Sequence, residues 1–211
     1  MKKIFTLMVF TLSTLTSFAQ VDNISAKSTV TDSVSYLKIK NKLKKLGHFT
    51  FKDIPINDSL NQFVAQLKKQ GFTPWKITDL KAYLTGKFTG DDVHVMVEAT
   101  PKTVYSVTVM YDKQTTWKSI KSQYDNMKSM LISKYGEPVE SVEKFDSPYY
   151  EGSSLELYAL NEDRCTYRTV FASKAGNGMI QLKISSDASL VINYVDALNY
   201  MIVSGEARND L

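Results

Sequence analysis

Asp91-Asp92-Val93-His94 is the densest group of chemistry-bearing side chains in this sequence. On an extended strand, Asp92 and His94 share one face, and Glu98 lies on the same face about 13 Å beyond His94. An imidazole beside carboxylates is the raw material of a metal site or a general base. The chain has only two histidines, His48 and His94, so it is poor in such ligands. The plainer reading of Asp92, His94 and Glu98 is the polar side of a sheet, and neither a metal nor a catalytic residue is expected there. Cys165 is the single cysteine. It sits in the alternating stretch Cys165 to Phe171 and reads as a small apolar strand residue. Neither neighbouring arginine, Arg164 or Arg168, can act as a base toward it. No serine lies in a Gly-x-Ser-x-Gly elbow. Gly176-Asn177-Gly178 lacks the lysine and helix start of a phosphate loop and reads as a turn. Carboxylates are scattered, and nothing singles out a pair for glycoside cleavage. No cofactor is expected.

Aromatic residues are the mild enrichment, with twelve tyrosines. Tyr149-Tyr150-Glu151-Gly152 falls in a loop between Pro148 and Ser153. Trp75 follows the helix-ending run Gly71-Phe72-Thr73-Pro74. Exposed Tyr and Trp are common anchors for protein partners or sugar rings. Tyr149, Tyr150 and Trp75 are therefore the candidate binding residues. The competing readings are local loop packing for the tyrosines and burial between helix and sheet for Trp75. Trp117, Tyr124 and Tyr135 are core residues by their spacing.

These side chains need a compartment and a scaffold. Lys2 and Lys3 precede an apolar run, and Ser17-Phe18-Ala19 follows it, which predicts a signal peptide over 1–19 cleaved between Ala19 and Gln20. The expected location is the periplasm or the extracellular space, with no lipid anchor and no second membrane segment. The formal charge is +4 for the whole chain. Without Lys2 and Lys3 it falls to +2, and no dense basic stripe exists, so a nucleic-acid partner is not expected. The basic stretch 38–45 reads as a solvated helix face.

Residues 20–47 read as an arm, poorly ordered at first, with a short amphipathic helix over 36–46. A helix capped by Asp58 or Ser59 carries Leu60, Phe63, Val64 and Leu67 in one stripe and ends at Gly71. Strands follow at 82–88, 93–97 and 104–111. A second helix begins after Thr115 or Thr116, carries Trp117, Ile120, Tyr124, Met127, Leu131 and Tyr135 inward, and ends at Gly136. Strands are then expected at 139–145, 155–160, 165–173, 179–185 and 189–194. A terminal helix is expected over 196–203, with a loose tail at 204–211. The class is α+β: an antiparallel sheet in a single domain over 48–203, with two helices on one face. Its order suggests a helix-plus-meander unit used twice, over 48–112 and 113–195.

Three segments carry a resemblance. Phe51-Lys52-Asp53-Ile54-Pro55-Ile56 precedes a capped helix, Thr-Gly-Lys-Phe-Thr-Gly spans 85–90, and Lys134-Tyr135-Gly136-Glu137-Pro138 closes a helix started by Trp117. Together with Phe18-Ala19-Gln20, they make residues 48–195 resemble a group of exported proteins of gut Bacteroidetes. That resemblance implies no activity. The helix–meander order is similar in outline to the β-lactamase-inhibitor-protein fold, which again implies no function. The functional expectation is an exported, non-enzymatic binding module for an envelope protein or a glycan. The alternatives are a small envelope hydrolase using a carboxylate or His94 as base, and a structural subunit of the envelope.

Overall fold

The computed structural model describes residues 27–209, with side chains for 35–205. The chain forms two units, Met1–Gly47 and His48–Leu211. In the first, the described residues form helix α1, Lys27–Leu46. This helix begins nine residues before the expected 36–46. The Ser/Thr-rich start had argued against helix, since these residues compete for backbone hydrogen bonds. The expected signal peptide and the first residues of the arm lie outside the described residues.

The second unit begins with a hairpin of β1 (Thr50–Phe51) and β2 (Ile54–Pro55). Its two turn residues, Lys52 and Asp53, both take positive φ. That conformation matches the twist of a tight hairpin. Helix α2, Leu60–Lys69, follows. Ser59 caps it, and Gln62 reciprocates in a capping box. Leu60, Phe63, Val64 and Leu67 are buried, as their spacing predicts. Four strands come next: β3 (Thr73–Ile77), β4 (Lys81–Phe88), β5 (Asp91–Ala99) and β6 (Val104–Tyr111). Helix α3, Trp117–Tyr135, is capped by Thr116 and ended by Gly136. The remaining elements are β7 (Glu140–Phe145), α4 (Glu156–Asn161), β8 (Cys165–Ala172), β9 (Gly178–Ile184), β10 (Leu190–Asp196) and α5 (Ala197–Asn209).

The fold is α+β, with one antiparallel sheet of eight strands in the order β3-β4-β5-β6-β10-β9-β8-β7. Each consecutive set of four strands is a meander preceded by a helix. The last strands of the two meanders, β6 and β10, pair at the centre. One rung shows why the sheet is half-buried. Ala82, Val97, Val107, Tyr194, Ile180 and Phe171 are successive cross-strand partners. All six are buried in the core that also holds the stripes of α2 and α3. The adjacent rung, Tyr83, Met96, Thr108, Asn193, Gln181, Val170 and Glu140, faces the other way. Alternation along each strand makes the two faces chemically distinct.

Buried polar groups tie the ends together. Asp196 is fully buried and accepts from the backbone N–H groups of Phe49 (2.7 Å) and Asn199 (2.8 Å). His48 Nδ1 lies 3.3 Å from the same carboxylate. The Asn199 side-chain amide donates to the carbonyls of Ile56 (3.0 Å) and Val104 (2.9 Å). Gly178 has no room for a side chain, because a Cβ there would sit 2.2 Å from the Phe49 ring.

Four sequence expectations are corrected. Residues 156–161 form helix α4, not a strand. Glu156, Ala159 and Leu160 point inward, which is a helical spacing in a run too short for periodicity to decide. Strand β3 occupies 73–77, where no strand was expected and Gly71 to Pro74 reads as a helix-ending run. It is an edge strand with a register shift at Pro74/Lys76, a place where proline is tolerated. Asp91 and Asp92 belong to β5, so the preceding turn contracts to Thr89-Gly90, both at positive φ. The terminal helix continues to Asn209, through most of the expected loose tail.

Candidate functional site

The loop 146–155 connects β7 to α4 and is tied down at several points. The Asp146 N–H donates to the Arg164 carbonyl at 2.8 Å, and Arg164 Nη2 donates to the Ser147 carbonyl at 2.6 Å. The Gly152 N–H donates to Glu156 Oε1 at 2.7 Å, with Gly152 at φ +90. Glu156 is buried, so this bond anchors the loop to the inner face of α4.

The held loop presents aromatic and apolar side chains outward. Tyr149 is half-buried against the core, with its ring 6.0 Å from that of Tyr158. Tyr150 is 65% exposed, Tyr158 55% and Leu155 52%. Leu155, the residue before α4, and Tyr158 are three residues apart and so are neighbours on the helix surface, with Tyr158 turned away from the buried Glu156 and Leu160.

Beside this patch, a cleft of about 510 Å³ opens between the loop and the start of α3, lined by Trp117, Lys121, Asp125, Glu151 and Glu156 among others. The Trp117 ring meets Phe145 and Tyr167 edge-on at 5.2 and 5.0 Å. Tyr167 meets Tyr124 at 5.5 Å. The Tyr124 hydroxyl shares a 2.5 Å hydrogen bond with Thr169, which fixes α3 to β8. Glu151 reaches into the cleft and is held at both oxygens. Trp117 Nε1 donates to Oε1 at 3.2 Å and the Tyr167 hydroxyl donates to Oε2 at 3.4 Å. Lys121 lies over the Tyr167 ring and pairs with Asp125 at 2.6 Å.

The local field is negative. Cys165 is buried, and burial first, then Glu151, Asp146 and Glu156, pushes its thiol up to about 12. Burial and then Glu151 raise the Tyr167 hydroxyl well above its ordinary value. A thiol held this way is a poor nucleophile. Aromatic faces beside a fixed carboxylate are instead suited to binding.

The sequence-predicted residues are distributed as follows. Tyr149 packs against Tyr158, and Tyr150 stands 65% exposed on the same loop. Trp75 is on β3 and is 60% exposed, so it is not a plug between helix and sheet. Its ring lies 5.4 Å from Tyr83 on the face away from α2 and α3, with Lys76 also over Tyr83. Strands β3 and β7 are opposite edges of the sheet, about 34 Å apart at ordinary strand spacing. Trp75 therefore does not join the two tyrosines. Asp92, His94 and Glu98 share a strand face but take separate partners: Lys87 at 3.1 Å, Asp112 at 3.8 Å and Lys81 at 2.8 Å. A second cleft, of about 580 Å³, includes Thr85, Asp92, His94 and Asp112. It is the larger of the two, but its ionisable groups are mostly exposed. Among the described residues, no hydroxyl or thiol is hydrogen-bonded to His94, and no group of three His, Cys, Asp or Glu is placed to hold a metal.

Trp117, Leu155 and Tyr158 were not expected at a site. Trp117 was assigned to the core, and it does pack there, but its indole N–H faces the cleft. The Leu155 and Tyr158 spacing becomes a signal only once 156–161 is read as helix.

No family model, curated protein or solved structure matches the chain. The likeness to exported Bacteroidetes proteins and to the β-lactamase-inhibitor outline rests on the sequence signatures alone. Among the described residues, no helix is long and apolar enough to cross a membrane.

Proposed function

We propose that this chain is an exported binding module that engages its partner through Tyr149, Tyr150, Leu155 and Tyr158, with the Trp117–Glu151 cleft beside them. One observation carries the reading. Three large side chains, at positions 150, 155 and 158, stand more than half exposed on a single tied-down segment. Exposed apolar side chains grouped on a rigid element mark interaction surfaces, and isolated ones do not. A rigid loop also loses little entropy on binding. Export rests on the basic-apolar-small pattern of residues 1–19.

The test is capture of envelope components by the immobilised protein and by a Tyr150→Ser/Tyr158→Ser variant. Both side chains are exposed, so the variant is expected to keep the wild-type unfolding midpoint. Truncating central aromatic contacts costs about 2 kcal/mol or more, roughly thirty-fold in affinity. Capture is therefore expected to fall to background. Undiminished capture by the folded variant would refute the site.

A further inference from the structure

We propose that the partner presents a cationic segment, an extended peptide carrying lysine or arginine beside apolar residues, to the aromatic patch and the Trp117–Glu151 cleft. This rests on the binding reading above and adds the chemistry of the ligand.

Charge complementarity favours such a ligand. Residues 137–163 hold eight carboxylates and one lysine, Lys144, in a chain whose charge is otherwise positive. Part of this charge is neutralised internally: Asp146 pairs with Lys144, Glu143 with Lys128 and Glu140 with Arg168. Among the described residues, no salt bridge reaches Glu151, Glu156, Glu162 or Asp163. Glu151 stands at the cleft beside the patch, and Glu162 and Asp163 follow α4 directly.

The nearby cations are largely committed. Lys121 is bound to Asp125 but also lies in the field of Glu151; Arg164 donates to the Ser147 carbonyl, and Lys118 lines the cleft. Glu151 is fixed by two aromatic donors, so it need not reorganise to receive a charge. A cation placed over a Tyr or Trp face gains from the ring quadrupole, and a nearby carboxylate adds to this. The same aromatic faces pack the aliphatic stems of lysine and arginine. Leu155 and the exposed ring of Tyr158 call for an apolar neighbour on the ligand. A small ammonium ion would leave most of this patch uncovered, so a peptide segment is the better fit.

The experiment is a titration of the protein with a short lysine–leucine–glycine peptide and with its glutamate–leucine–glycine counterpart. It is read by anisotropy of the labelled peptides at low and at high salt. The lysine peptide is expected to bind and to weaken as salt rises, and the glutamate peptide is expected not to bind. Glu151→Gln keeps the shape and removes the charge, and it is expected to weaken lysine-peptide binding roughly five- to ten-fold. Tyr150→Ser/Tyr158→Ser is expected to abolish it. Equal binding of the two peptides, or no effect of Glu151→Gln, overturns the charge inference. So does tyrosine-dependent binding of a neutral oligosaccharide, or self-association through the patch, without lysine-peptide binding. If the tyrosine variant loses envelope capture yet the lysine peptide never binds, the binding reading stands and only the cationic ligand falls. If capture survives the variant, the binding reading falls first.

Discussion

Glu151 and Cys165 show how the same surroundings make one side chain available and another inert. Glu151 is fixed at the cleft by two aromatic donors, the Trp117 indole N–H and the Tyr167 hydroxyl. Cys165, three strand positions from the Arg168 side chain, is buried and surrounded by carboxylates, and its thiol stays protonated across neutral pH. The expected outcome is that iodoacetamide at mildly alkaline pH leaves Cys165 unmodified in the native protein and labels it after denaturation, read by mass. Rapid native labelling would contradict the assigned burial. The sequence identified Cys165 correctly because strand alternation alone decides its face. It identified Tyr149 and Tyr150 as loop residues but could not tell that one packs inward and the other stands free. That distinction comes from the Arg164–Ser147 and Gly152–Glu156 hydrogen bonds, which tie the loop to residues beyond it. Trp117 was hidden for a related reason: helical spacing reports where a ring sits, and not where its N–H points.

At the level of elements, α4 is the decisive correction. As a strand, 155–160 would have alternated its side chains between the two faces of the sheet. As a helix, it buries Glu156, Ala159 and Leu160 and turns Leu155 and Tyr158 outward beside Tyr149. Helices α2 and α3 were legible because caps, apolar stripes and terminal glycines agree with one another. Strand β3 was obscured by Pro74. At the C-terminus, Asp196 starts α5 and also satisfies the Phe49 N–H. Asp196→Ala leaves two inward backbone donors without partners and removes a cap, a loss of about 2–4 kcal/mol. Urea unfolding should show this as a lower midpoint with an unchanged slope. A midpoint equal to wild type would mean that Asp196 is not holding α5 to the segment before β1.

Over the whole molecule, the sequence conveyed the class and the helix-then-meander order, since short connections force antiparallel neighbours. It did not convey which strands meet at the centre. The β6–β10 pairing joins residues about 85 positions apart, and no local signal reports it. That pairing sends β3 and β7 to opposite edges and so separates Trp75 from Tyr149 and Tyr150. Among the described residues there are thus two distant exposed aromatic groups, and the proposed partner binds at only one of them. The most direct test puts a photo-crosslinking residue at each in turn, Tyr150→p-benzoylphenylalanine and Trp75→p-benzoylphenylalanine, in cells producing the protein. A discrete crosslinked adduct is expected from position 150 and none from position 75. An adduct from position 75 alone, or from neither position, would contradict the proposed site.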